Sequence, residues 1–274
     1  MEKFQLLHFI AIEGIGAASG LVYLDNSLFI VSDNSNFLYQ YKISEKKLYK
    51  IKLFENSQEI SLKKDKADFE ALTLFDNKLY LFGSGSTKKR NTRVTFNLEN
   101  NEIKEKNLSK IYKRLTETLS IAANELNIEG VIITEETTYF FQRGNGANAQ
   151  NGVFCYDKKS KTAQFKLITL PKINGTATTF TDATLVGDKI YFLAAAENTT
   201  STYDDGDIEG SSIGTIDLKT LKLVNCIQIS DKHKFEGLTL YKKTATQIEF
   251  LLCEDNDTEG LVSTIYLLKL FTEH

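Results

Sequence analysis

The chain has 274 residues, 42% of them hydrophobic and 25% charged, the balance of an ordinary globular protein long enough for a sizeable core. A formal net charge of -3 and a pI near 5.8 argue against a general nucleic-acid binder, and no apolar run reaches the length of a membrane span. Cys155, Cys226 and Cys253 are odd in number and lie in apolar segments, which fits reduced thiols in a cytoplasmic protein better than a disulfide framework.

In chain order the first element is the strand-like run FQLLHFIAI (4–12), which lacks a small-residue cleavage site and carries Gln5 and His8, so it reads as a strand and not as a signal peptide. SGLVYLDNSLFIVSDN (19–34) follows, two apolar runs joined by the turn Asp25-Asn26. EALTLFDNKLYLFGSG (70–85) lays over it without a gap. KIYKRLTETLSIAANEL (110–126) is the one predicted helix. EGVIITEETTYFFQRG (129–144) and TDATLVGDKIYFLAAA (181–196) return to the strand register, and EGLTLYKKTATQIEFLLCEDND (236–257) joins them with a turn four residues longer. The copies are spaced by 51 (19 to 70), 59 (70 to 129), 52 (129 to 181) and 55 (181 to 236) residues.

Five such copies, each trailed by two further strand-like runs, predict an all-β, five-bladed β-propeller with four strands per blade, forming a single domain over 1–274. The last copy supplies only three strands. Residues 4–12 are therefore predicted to pair with 261–271 and close the final blade as its outer strand. A β-sandwich is the alternative, disfavoured because sandwiches rarely repeat one register five times.

The innermost strand of each blade lines the channel, so the residues heading the copies should meet at one mouth: Ser19, Glu70, Glu129, Thr181 and Glu236. Register favours Thr181, whereas the chemistry of its neighbour Asp182 suits the same role, and both stay open here. Converging carboxylates repel one another unless a cation or protonation intervenes. An all-oxygen set suits a hard divalent cation, Ca²⁺ first, with Mg²⁺ or another divalent cation as alternatives. No histidine or cysteine heads a copy, which argues against zinc. The competing expectation is a water-filled tunnel whose acids accept N–H bonds between blades.

The order Ser, Glu, Glu, hydroxyl, Glu at five consecutive heads resembles the calcium-activated nucleotidase (apyrase) family, five-bladed propellers whose central Ca²⁺ is held by Ser, Glu, Glu, Ser and Glu. The resemblance implies Ser19, Glu70, Glu129, Thr181 and Glu236 as metal ligands, with Thr181 in place of the second Ser. NIEG, YFFQRGN, FLAAAEN and YDDG also resemble an uncharacterised bacterial propeller family grouped with phytase-like esterase domains. The apyrase catalytic residues have no match beyond the ring.

Strand alternation puts the loop after each second strand beside the ring: 32–36, 83–93, 143–152, 195–212 and 254–260. Lys88, Lys89, Arg90, Arg93 and Arg143 lie in two of these loops, and Asp33, Glu197, Asp204, Asp205, Asp207, Glu254, Asp255 and Asp257 in the others. A central cation flanked by arginines would hold a small anionic molecule, with Arg93, Arg143 and Asn145 as ligand-binding candidates. Asp33, Arg143 and Glu254 are the catalytic candidates, the acids orienting a water against a metal-polarised phosphoryl group. The runs EKK, LKKDK and KKSK read as solvated edges, and His8, His233 and His274 show no ligand spacing. Two functions are carried forward: a metal-dependent hydrolase of phosphate esters or anhydrides, and a non-enzymatic ligand- or protein-binding propeller with a structural Ca²⁺. A lactonase-like Ca²⁺ propeller ranks third. No nucleic acid or membrane is expected as a partner, and a monomer is expected.

Overall fold

The computed structural model describes residues 3–58, 66–147, 150–199, 206–255 and 261–271. After β1 (Phe4–Glu13), the chain lays down blade 1 as β2 (Ala18–Leu24), β3 (Ser27–Ser32), β4 (Phe37–Lys42) and β5 (Lys47–Lys52). Blade 2 is β6 (Phe69–Phe75), β7 (Lys78–Gly83), β8 (Thr92–Asn97) and β9 (Ile103–Asn107). Helix α1 (Ser109–Leu119) then leads to blade 3: β10 (Ile128–Ile133), β11 (Thr137–Gln142), β12 (Gly152–Asp157) and β13 (Ala163–Leu167). Blade 4 is β14 (Thr178–Val186), β15 (Lys189–Asn198), β16 (Asp207–Asp217) and β17 (Leu223–Ser230). Blade 5 takes β18 (Phe235–Lys243), β19 (Gln247–Glu254) and β20 (Val262–Phe271) from the C-terminal end and β1 from the other, in the order β1-β20-β19-β18.

The closure runs antiparallel from Phe4 opposite Leu270 to Glu13 opposite Val262. It ties both ends of the described chain into one sheet and leaves the final blade no short of a strand. The turns Asp25-Asn26 and Asp76-Asn77 hold both residues at positive φ (47° and 59°, 50° and 53°), the conformation of a two-residue hairpin that Asp and Asn tolerate best. The core is not central but divided into clusters between adjacent blades. One joins Leu21 and Ile30 of blade 1 to Leu251 and Ile265 of blade 5; another joins Phe82 of blade 2 to Phe140 and Phe154 of blade 3.

Helix α1 is shorter than the predicted 110–126. It stops because Ser120 turns left-handed (φ 56°) while the Ser120 and Ile121 N–H groups bond back to Glu117 O and Thr116 O. Its buried face, Tyr112 and Leu115, packs into the cluster between blades 2 and 3, and the Tyr112 hydroxyl donates to Gly83 O at 2.7 Å. Among the described residues no helix is long and apolar enough to cross a membrane.

Candidate functional site at the channel mouth

Every inner strand carries a β-bulge at the same place. The register with the second strand skips between Ala18 and Gly20, Phe69 and Ala71, Ile128 and Gly130, Phe180 and Asp182, and Phe235 and Gly237. The five residues left over are Ser19, Glu70, Glu129, Thr181 and Glu236. A bulged residue is free of ladder pairing and its strand is locally bent, so the bulge re-aims each head at the mouth.

The same register separates Thr181 from Asp182. Asp182 stands one place later, where the other blades have Gly20, Ala71, Gly130 and Gly237. Inner strands approach closely at that place: a Cβ on Gly130 would lie 2.8 Å from Ala183 N, and one on Gly20 3.1 Å from Leu72 N. Asp182 fills the gap between blades 4 and 5 instead, accepting from Leu238 N and Ala183 N, each at 2.7 Å. Burial raises its carboxyl well above the usual range despite those two donors. Thr181 is thus the structural equivalent of the other four heads.

The two hydroxyl heads act as clasps between blades. Ser19 Oγ donates to Phe69 O at 2.5 Å, and Thr181 Oγ1 donates to Phe235 O at 2.6 Å. Thr181→Val keeps the shape and deletes the donor; urea denaturation is expected to show a loss of about 1–2 kcal/mol. An unchanged midpoint would mean that the clasp is immaterial.

The acid heads differ from one another. Glu129 accepts from Arg143 Nη1 at 3.2 Å and from Asn127 Nδ2 at 2.7 Å, while Arg143 Nη2 bonds Glu197, whose other oxygen takes Gly206 N at 2.8 Å. Glu236 pairs with Lys234 Nζ at 3.0 Å, and Lys234 also reaches Asp255 at 3.2 Å. Around Glu70 the partners are connector residues. Lys66 Nζ bonds Asp33 and lies 2.9 Å from Asp68, and Arg90 Nη1 lies 2.8 Å from Asp68, which also accepts from Ser84 Oγ. Glu70 itself has no hydrogen bond or ion pair among the described residues.

Among the described residues, seven carboxylates (Asp33, Asp68, Glu70, Glu129, Glu197, Glu236 and Asp255) thus face four cations (Lys66, Arg90, Arg143 and Lys234), an excess of three negative charges when all are ionised. Burial opposes the charged forms of Lys66, Arg143 and Lys234, but the surrounding carboxylates prevail and hold all three protonated. Glu70 and Glu236 are pushed well above the usual range, first by burial. Neighbouring acids add to this at Glu70, whereas Lys234 opposes it at Glu236.

One set of three possible ligand atoms among the described residues lies within 4.8 Å of one another: Asp33, Asp68 and Glu70. Of the five heads expected to share one ion, Glu70 alone belongs to this set. Glu129 and Glu236 are drawn to Arg143 and Lys234, and the open acidic triad lies to the blade 1–blade 2 side. The triad is all oxygen, Asp33 Oδ1 is buried without a partner, and Glu70 is unpaired, so these residues fit a hard divalent cation. Below the heads the channel holds a cavity of about 370 Å³, lined by Leu21, Leu72 and Leu240 together with Thr73, Thr184 and Thr239.

The other candidates are redistributed. Arg143 lies at the mouth, but its terminal nitrogens are taken by two carboxylates and are not offered to an anion. Asn145 lies beside the ring, 3.4 Å from Asn127 Nδ2. Arg93 is not at the mouth: its guanidinium lies over the Tyr80 ring, 5.1 Å from the centroid, in the groove between blades 2 and 3. Glu254 is bonded by His233 Nδ1 and by Tyr266 Oη, on the side of the sheet that carries Phe235, and does not enter the mouth network. Lys66, the last residue of the run LKKDK, is buried between two acids and is no solvated edge. Lys88 and Lys89 are exposed, while Asp204, Asp205 and Asp257 fall outside the described residues.

The chain belongs to a family of unknown function, DUF6929, whose model matches residues 14–270. No functionally curated protein matches it. Among solved structures it is similar to the glutaminyl cyclase of Myxococcus xanthus (TM-score 0.54, 11% identity, 98% of this chain and 97% of that one). It is also similar to Mala s 1, the major allergen of Malassezia sympodialis (TM-score 0.58, 11% identity, 95% of each chain). At such identity the likeness shows the fold. Neither structure is an apyrase or a phytase-like esterase, so the nucleotidase expectation rests on the ring residues.

Proposed function

We propose that the channel mouth is a divalent-cation site, formed by Asp33, Asp68 and Glu70 with Ca²⁺ as the best-fitting ion, at which a small anionic molecule is held. The observation that carries this reading is Glu70, unpaired among the described residues, beside the buried Asp33 Oδ1 in a mouth whose described carboxylates outnumber its described cations by three. A bound Ca²⁺ supplies an electrophile that takes phosphate or carboxylate oxygens and polarises a phosphoryl group. Asp33, Asp68 and Glu70 would hold the ion, with Ser84 and Arg90 fixing Asp68. Binding is favoured over hydrolysis because Asp33 is engaged by Lys66 and Glu254 by His233 and Tyr266, so neither acid is poised as a general base.

Lys66 and the ion contend for the same oxygens. Calorimetric titration with Ca²⁺ is expected to show one saturable site, tightened at least threefold by Lys66→Met and abolished by Asp68→Asn. Heat-silent titrations of wild type and Lys66→Met alike would overturn the reading. A parallel screen of phosphate esters and anhydrides, with Ca²⁺ present, is expected to show cation-dependent binding without turnover; turnover would restore the hydrolase.

A further inference from the structure

The groove between blades 2 and 3 has no counterpart in the proposal above. It is a cavity of about 330 Å³, the size of a small-molecule site, lined by Arg93, Lys106, Lys158 and Lys161 together with aromatic and aliphatic side chains. No Asp or Glu lines it among the described residues. A second groove of about 330 Å³, between blades 4 and 5, offers a single lysine, Lys189. Of these two grooves, only the first carries several cations.

The helical insertion builds this groove. Leu108, just before α1, and Ile111 within it form part of the wall, and Arg114 donates to Lys161 O, tying the helix to the outer edge of blade 3. Arg93 is half-buried, its Nε is buried without a partner, and it has no carboxylate among the described residues. Lys158 donates to Thr134 O and lies 5.0 Å from the Phe75 ring centroid. Burial and the charge of Arg93 both depress the Lys158 ammonium below its ordinary range, and burial depresses Arg93. The two like charges lie near each other with Glu135 as the carboxylate that acts on Lys158 from outside the groove lining, and Phe75, Phe140 and Tyr156 offer flat apolar surface next to them.

We infer that this groove binds a small aromatic oxyanion, an aryl carboxylate or aryl phosphate, with the anionic group on Arg93 and Lys158 and the ring against Phe75 and Phe140. The arginine fork suits two oxygens of one anionic group, and the lysines add charge without fixing geometry.

The test uses 1-naphthoate, 1-naphthyl phosphate and neutral 1-naphthol, followed by calorimetry in a chelating buffer that silences the channel mouth. Both anions are expected to bind one per chain, with 1-naphthol at least tenfold weaker. Arg93→Gln should weaken both anions at least tenfold and Lys158→Gln at least threefold, while Lys189→Gln in the second groove leaves them unchanged. Thermal melting checks each variant, and Lys158→Gln alone decides if Arg93→Gln does not fold. The inference is overturned by no saturable binding, by 1-naphthol matching the anions, or by folded Arg93 and Lys158 variants that bind as wild type does. Since the chelated protein is used, failure here leaves the cation site untouched, and failure of the cation site leaves this result standing.

Discussion

Arg143→Ala is expected to be the most destabilising single substitution at the mouth, by about 3–5 kcal/mol in urea denaturation. Among the described residues Arg143 is the one cation that touches Glu129 directly, and it bridges Glu129 of blade 3 to Glu197 of blade 4. Its removal strands two buried carboxylates in adjacent blades. The loss should depend on pH with a definite sign. Burial already raises the Glu129 carboxyl, against the pull of Arg143 and Lys234. Without Arg143 the folded-state value rises further above the unfolded one. The folded state then binds more protons than the unfolded one, so stability falls as pH rises. The variant should accordingly recover part of its stability near pH 5 relative to pH 8. The double variant Arg143→Met with Glu129→Gln should be less destabilised than Arg143→Ala, because one stranded charge is gone. Equal losses at both pH values would show that packing, not charge, is what Arg143 supplies.

Stripping divalent cations is the second large effect expected. An ion bound only by the folded state adds about 2.7 kcal/mol at a hundredfold excess over its Kd, and for a chain of this size each kcal/mol moves Tm by about 2–4 °C. Chelation should lower Tm by about 5–10 °C, and added Ca²⁺ should restore it. Glu70→Gln should abolish the response and, by removing an unpaired acid from a crowded mouth, melt above the chelated wild type. Glu129→Gln should keep the response, since Glu129 already has Arg143 and Asn127. A response lost in Glu129→Gln and kept in Glu70→Gln would return the ion to the axis.

The blade count and the closing strand were legible because both follow from spacing. One register recurring five times leaves one blade a strand short, and FQLLHFIAI is the only unclaimed run. The heads were legible for the same reason, but the bulge that aims them was not, since a bulge changes pairing without changing the apolar alternation. What sequence reading missed lies in the connectors entering each inner strand. Asp68, Asn127 and Lys234 each stand two residues before an acid head, and that recurrence of a polar residue was a usable signal. Lys66 was hidden by its run: four charges in LKKDK look solvated, and only the loop of blade 1 carrying Asp33 shows why the last one is buried. Arg93 was misplaced because it was counted with a loop. It pairs with Phe82 within the sheet, so its side chain shares a face with Phe82 and Tyr80 and enters the groove between blades.

The most direct measurement is a crystal structure grown in Ca²⁺, with the ion located by anomalous scattering. One peak is expected on the blade 1–blade 2 side, about 2.3–2.6 Å from oxygens of Asp33, Asp68 and Glu70, with Lys66 displaced from Asp33. A peak on the axis shared by Glu70, Glu129 and Glu236, or a triad still bridged by Lys66 with no ion beside it, would rule out the triad as the cation site.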